Sequence, residues 1–212
     1  MSARPRLLLF DLDGVLAQYD RHARCAHLAG AAGVEAEAMH EALFGEAQLE
    51  LRSDLGEFDL PGLLDALHEL RGWRVSASDF LAARRQATRV EADMLALCQA
   101  ASCETELAMF TNNGRWLAEH AEAIVPDLVP LFGGRMVCAG HLRRCKPEPE
   151  AYAACLERLG ARAHQTLFID DRADNVEGAR LAGLHALQFE NVSTLRAQLR
   201  QYGFLGGTGH ED

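Results

Sequence analysis

The chain has 212 residues and a mass of 23.2 kDa, with 49% hydrophobic, 25% charged and 7% aromatic residues. Those fractions exclude a disordered, collagenous or coiled-coil polypeptide and leave room for one large domain or two small ones. Lys and Arg number 21 against 31 Asp and Glu, a net charge of −10, which argues against broad binding to nucleic acid or to an anionic membrane surface, since both need a basic face.

A phosphorylated small molecule stays compatible with that balance, because a pocket can be locally positive inside an acidic protein. No apolar stretch approaches the roughly 18 residues of a membrane span. The short run Leu7–Phe10 is followed at once by Asp11 and Asp13, so it does not read as a signal-peptide core. Six cysteines (25, 98, 103, 138, 145, 155) are scattered without a CxxC. They read as reduced, mostly buried thiols of a cytoplasmic protein, and Cys98 with Cys103 is the weaker reading of a redox pair.

Arg6–Phe10 reads as a buried strand, short, apolar and closed by polar residues. The stretch from Gln18 to Ala101 then shows only helical patterns: His22–Ala32, Glu35–Leu51, Pro61–Leu70, Ser78–Thr88 and Glu91–Ala100. Asp59 and Ser78 look like N-caps there. Further short strands are expected at Leu107–Phe110, Met136–Cys138, Thr166–Ile169 and Ala186–Phe189. Helices are expected at Arg115–Ile124, Glu148–Leu159, Asn175–Ala182 and Ser193–Tyr202. Pro147 sits where a helix's first turn would begin, and Gly160 and Gly183 where helices should stop. Alternating strands and helices predict an α/β fold with a doubly wound, mainly parallel sheet. Residues 1–16 and 102–205 would form this core, 17–101 an inserted all-α domain, and 206–212 a frayed tail. An insert after the first strand lies above the carboxyl ends of the strands, where such sheets bind ligands. Its hinges are expected at Ala17–Tyr19 and Ala100–Cys103.

Four segments at predicted strand ends carry chemistry. Phe10-Asp11-Leu12-Asp13-Gly14 puts two carboxylates two residues apart, with Gly14 permitting a sharp departure. Thr111-Asn112-Asn113-Gly114 offers a hydroxyl and backbone N–H groups ahead of a helix, an oxyanion cradle or an ordinary N-cap. Lys146 precedes a proline-started helix and can reach inward as a point charge for phosphate, although a solvated lysine is the commoner fate. Asp170 and Asp171 follow an apolar strand, where adjacent carboxylates are costly unless a cation or hydrogen bonds meet them; clustered hard oxygens suit Mg²⁺. Each segment alone is weak. Their order on successive strand ends supplies a nucleophile, an acid/base, an anion cradle, a cation and a metal site, a set complete for phosphoryl transfer.

FDLDGVL, TNN, KPEPEAY and FIDDRADNVEGARLAG resemble, in the right order, the four motifs of the haloacid dehalogenase superfamily. The helical insert resembles that superfamily's type 1 cap. FIDDRADNVEGA and Gly56-Glu57-Phe58-Asp59 resemble bacterial sugar phosphatases related to glucose-1-phosphatases. The resemblance implies that Asp11 is the nucleophile, forming an aspartyl-phosphate. Asp13 would be the general acid and then the base, with its backbone carbonyl on Mg²⁺. Thr111 and the Asn112 N–H would bind phosphoryl oxygens, and Lys146 would bridge Asp11 and the phosphoryl group. Asp170 and Asp171 would complete the Mg²⁺ site, with the direct ligand left open, and Asn175 would orient the loop behind them. Asp13 favours phosphate chemistry over carbon–halogen cleavage, because a carboxylic acid there serves an alkoxide leaving group. The expected activity is Mg²⁺-dependent hydrolysis of a small phosphorylated metabolite, sugar phosphates included, with no nucleic-acid or membrane partner and with monomer and dimer both open. A phosphomutase and a non-hydrolytic receiver-like phospho-switch are the alternatives. Cap residues near Arg52–Phe58, with Gln18, Tyr19, Arg21 and His22, would lie near the mouth of the site.

Overall fold

The computed structural model describes residues 4–206. Apart from Gly206, the expected tail lies outside them. β1 (Leu7–Phe10) runs into β2 (Ala17–Tyr19), and the insert follows as α1 (Arg21–Ala32), α2 (Ala36–Phe44), α3 (Leu49–Asp54), α4 (Leu60–Arg71) and α5 (Ala77–Gln86). β3 (Thr88–Val90) and α6 (Ala92–Ser102) return the chain to β4 (Glu106–Thr111). Then come α7 (Trp116–Glu119), α8 (Ala121–Ile124), α9 (Val129–Phe132), β5 (Met136–Cys138), α10 (Ala139–Leu142) and α11 (Pro149–Leu159). β6 (Thr166–Asp170), α12 (Ala173–Leu181), β7 (His185–Gln188) and α13 (Val192–Gln201) complete the described chain.

The main sheet has the order β5-β4-β1-β6-β7 with every pairing parallel. β1 lies at its centre, which is why LLLF is apolar at every position: a strand in a parallel sheet covered on both faces has no solvent side. Successive side chains still alternate. Leu8 and Phe10 join Leu107, Met109, Leu167 and Ile169 in one core, while Leu7 and Leu9 join Ala108, Phe110 and Phe168 in the other. The second core is closed by Tyr152 and Cys155 of α11 and by Val176 and Ala179 of α12. The first continues without a break into the insert, through Trp116, Phe80, Leu63 and Leu43. Chain order reverses on either side of β1, so the carboxyl ends of β1, β4 and β6 flank a topological switch point.

The insert is helical except at its root. Ala17–Tyr19 and Thr88–Val90 form a two-stranded antiparallel ribbon, with Ala17 opposite Val90 and Tyr19 opposite Thr88. The all-α expectation is corrected there: three-residue strands carry too little alternation to register as a pattern. The ribbon also bears on the second hinge. Ala100–Cys103 lies at the end of α6, and α6 packs on β4, α9 and α13, with the sheet.

Other local differences have plain causes. Asp59 is an N-cap as expected, accepting from the Gly62 N–H at 2.9 Å. Ser76, not Ser78, caps α5, accepting from the Asp79 N–H at 3.1 Å. The expected helix 35–51 divides at Gly45, and 115–124 divides at His120. Pro147 does not open α11. Glu148 precedes Pro149 and is driven out of helical backbone to φ −60°, ψ 125°, so the first helical residue is Pro149. The Lys146–Pro147 peptide bond is cis. Gly160 stops α11 in the left-handed region at φ 65°.

Candidate active site

The strand order places three chain ends side by side: Asp11 directly after β1, Thr111 as the last residue of β4, and Asp170 as the last of β6. Lys146 arrives between them on the loop after α10. Its backbone is gripped by the Asn112 side chain, which donates to the Lys146 carbonyl and accepts from the Lys146 N–H, both at 2.9 Å. Gly178 presses α12 on the next residue so closely that a Cβ there would stand 2.0 Å from the Pro147 carbonyl oxygen. The ammonium is thereby aimed inward, 2.8 Å from Asp11 Oδ1 and 2.7 Å from Asp170 Oδ2.

Burial alone would discharge this lysine, but the attraction of Asp11 and Asp170 outweighs it and holds the amine above its ordinary range. Burial pushes the Asp11 carboxyl up to about 7 against the pull of Lys146, with Asp170 adding to the rise. Asp170 is saturated. Its Oδ1 accepts from the Arg172 N–H at 2.9 Å and from Asn175 Nδ2 at 3.0 Å, and its Oδ2 accepts from Lys146 at 2.7 Å and from Asn175 at 3.1 Å. Asn175 is itself fixed by the Tyr152 hydroxyl, which donates to its carbonyl at 2.6 Å.

Thr111 Oγ1 accepts from Asn113 Nδ2 at 2.9 Å, which leaves the hydroxyl proton available to a ligand. The same Nδ2 donates to Asp13 Oδ2 at 3.0 Å. On its other side the Asp13 carboxylate meets Arg84 of α5, whose Nη2 stands 2.6 Å from Oδ1 and 2.8 Å from Oδ2. Asp13, Thr111 and Asn113 face a cavity of about 350 Å³, and Arg84 lies behind Asp13, outside the lining of that cavity. Tyr19, Arg21 and Phe44 also line it, as do Arg24, Glu50 and Asp54 of the insert. Arg24 and Glu50 form a buried ion pair at 2.6 Å. Burial, reinforced by Glu50, raises the Asp54 carboxyl well above the usual range.

Asp11, Asp13, Thr111, Asn112, Lys146 and Asn175 thus line one cavity, and Asp170 stands behind Lys146. The insert fares unevenly. Tyr19 and Arg21 line the cavity, whereas Gln18 and His22 line a separate surface groove. Arg52 pairs with Glu57 at the surface, and in 52–58 only Asp54 reaches the cavity wall. Sequence assigns Arg84 no role, and it places Asn113 in the cradle segment Thr111–Gly114 without a role for its side chain. Arg84 falls four residues after the buried Phe80, in phase with the apolar stripe of α5, which is the one trace of its burial.

Asp11, Asp170 and Asp171 each offer an oxygen within 4.8 Å of the others. Asp171 Oδ1 is sealed from solvent and has no hydrogen-bond partner among the described residues. Burial, then Asp170, raises the Asp171 carboxyl. An orphaned carboxylate oxygen in a triad of hard donors fits a small divalent cation. The Asp13 carboxylate is turned to Arg84 and stands outside this triad.

The site thus defined is acidic and lysine-bridged, and it stands at the switch point of an open parallel α/β sheet with a mainly helical insert after its first strand. The family model for haloacid dehalogenase-like hydrolases matches residues 5–183, and the chain belongs to that family. Phosphatase MT3486 of Mycobacterium tuberculosis (strain CDC 1551 / Oshkosh) is 38% identical over 85 residues, covering 38% of this chain and 37% of that protein's length. Among solved structures, that of a predicted HAD-like family hydrolase from Porphyromonas gingivalis is similar with a TM-score of 0.75 and 19% identity, covering 93% of this chain and 99% of that one. A HAD family enzyme from Bacteroides thetaiotaomicron, in complex with magnesium and inorganic phosphate, is similar with a TM-score of 0.70 and 23% identity, covering 90% and 98%. These two likenesses are of fold. Among the described residues, no helix is long and apolar enough to cross a membrane.

Proposed function

We propose that this chain is a Mg²⁺-dependent phosphomonoester hydrolase acting on a small phosphorylated metabolite, sugar phosphates among them, through an aspartyl-phosphate on Asp11. One observation carries the reading: the buried line Asp11–Lys146–Asp170, with the unpartnered Asp171 oxygen and the Thr111 hydroxyl beside it. The fold shared with a magnesium–phosphate complex and the partial match to a phosphatase support it.

Asp11, Asp171 and the Asp13 backbone carbonyl would hold the cation. Asp171 is preferred to Asp170 as the direct side-chain ligand, because all of Asp170's acceptor sites are already engaged. Bound there, Mg²⁺ would neutralise charge on the phosphoryl oxygens. Lys146 keeps its charge and holds Asp11 at a fixed angle, so the carboxylate meets phosphorus without reorganising. Thr111 donates its hydroxyl proton to a phosphoryl oxygen, and the Asn112 N–H binds another. Asp13 protonates the departing alcohol and then takes a proton from the attacking water. Asn175 holds Asp170, and through it Lys146, in place. The insert, read as a cap over 17–101, moves about the ribbon and excludes water from this step. A cavity of about 350 Å³ limits the leaving group to a small molecule. Cys25, Cys98, Cys138 and Cys155 are free and buried, in keeping with a reducing cytoplasm.

Phosphate release from p-nitrophenyl phosphate, with magnesium and with chelator, tests the reading. Turnover that needs the metal supports it. A stable aspartyl-phosphate without turnover would replace it with the switch, and transfer to a second site on the same substrate would replace it with the mutase.

A further inference from the structure

We propose that Arg84, with Asn113, is the positioning element that holds the Asp13 carboxylate in one orientation, with a single acceptor site on Oδ1 left free. The inference rests on the reading of Asp13 as the acid and base of a hydrolase.

A carboxylate has about four acceptor sites, two on each oxygen. Arg84 Nη2 straddles the group and takes one site on each oxygen, at 2.6 and 2.8 Å. Asn113 Nδ2 takes the second site on Oδ2 at 3.0 Å. One site remains, on Oδ1. The Arg84 guanidinium cannot drift. Its side chain is 1% exposed, and the guanidinium carbon lies 3.8 Å from the Tyr19 ring centre.

The root of the insert enforces the pairing. Asp13 bridges to Ala17, where β2 begins. Tyr19 of β2 faces Thr88 of β3, and the Thr88 hydroxyl donates to the Arg84 carbonyl at 2.8 Å. Asp13 and Arg84 therefore hang from the same ribbon, close to the axis on which the insert would turn. Their contact survives that motion, and Asp13 keeps one orientation through both half-reactions. In the first, Asp11 attacks phosphorus, the ester P–O bond breaks, and the leaving oxygen takes the proton from Asp13 Oδ1. In the second, water gives a proton to the same Oδ1 as its oxygen attacks phosphorus and the Asp11–phosphorus bond breaks. Alcohol and inorganic phosphate leave, and Asp13 ends protonated as it began.

The test compares phenyl phosphate with p-nitrophenyl phosphate, esters of nearly one shape whose leaving groups differ in their need for a proton. kcat/KM reports the steps up to ester cleavage. Arg84→Lys keeps the charge, but its amine ends one bond short of the place Nη2 occupies and cannot hold both Asp13 oxygens from the same backbone position. It is expected to lower kcat/KM for phenyl phosphate about 10- to 100-fold and that for p-nitrophenyl phosphate less than about threefold. Equal losses on both esters, or none, in a variant that melts like the wild type would overturn the proposal, since a merely structural arginine does not sense the leaving group. If Arg84→Lys does not fold, Asn113→Ala, which frees a second site on Oδ2, decides in its place by the same ratio. Wild-type protein inactive on both esters would instead defeat the hydrolase reading, and this inference with it.

Discussion

Lys146 and Asp170 meet at 2.7 Å, their side chains 1% and 0% exposed. Such a pair exists only because Asn112, Asn175 and the Arg172 N–H satisfy what surrounds it. Removing one member leaves an uncompensated buried charge, which costs about 3–5 kcal/mol. Lys146→Ala should therefore lose that much stability, read from urea unfolding, along with at least about a hundredfold in kcat/KM if the lysine also holds Asp11 on target. A variant with wild-type stability would show that water reaches this pair in solution.

Asp11→Asn keeps shape and removes a charge that burial already disfavours. The variant should fold with a melting temperature close to that of the wild type and turn over no substrate. Residual activity above about one part in a thousand would end the nucleophile assignment.

The same carboxyl links metal binding to pH. Without a cation its value is raised from 3.8 to about 7, so the folded chain keeps a proton that the unfolded chain has already shed. Stability of the metal-free protein accordingly falls as pH rises through that window, and the penalty is complete above about 7. A cation binds the anionic form and relieves the penalty. Magnesium should raise the melting temperature more at about pH 8 than at about pH 5.5, by several degrees. An equal rise at both values would contradict Asp11 as a ligand.

Gly14 stands against Asp171. Its φ is +92°, and a Cβ built there would fall 2.7 Å from Asp171 Oδ2. Gly14→Ala should cost about 1–2 kcal/mol from backbone strain and push Asp171 out of place. Magnesium titration should show at least about a tenfold weaker affinity. Unchanged affinity would place Asp171 outside the metal site.

Much of this was legible in the chain. LLLF, ELAMFT and TLFID are short apolar runs closed by polar residues, so the strands and the chemistry at their ends could be read together. The helices lose accuracy where a cap competes with a neighbour, as Ser76 does with Ser78. Pro147 misleads because Pro149, two residues farther along, keeps Glu148 out of helical backbone and so sets where the helix can begin. The ribbon escapes because its pairing joins residues about seventy positions apart, and three-residue strands are set by their partner rather than by their own pattern.

Local order thus determined the parallel sheet, the insert after its first strand and the line of carboxylates, hydroxyl and lysine at the strand ends. These features follow from periodicity and from residues that act where the backbone leaves a strand. Only the tertiary structure decided that Arg84 closes on Asp13, that Asn113 braces it, that Asp170 is spent on Lys146 and that Asp171 keeps an oxygen free. An arginine in an apolar helix stripe is indistinguishable by spacing from one that snorkels to water. Its partner is fixed by how two distant segments meet at the ribbon, and no local pattern encodes that meeting.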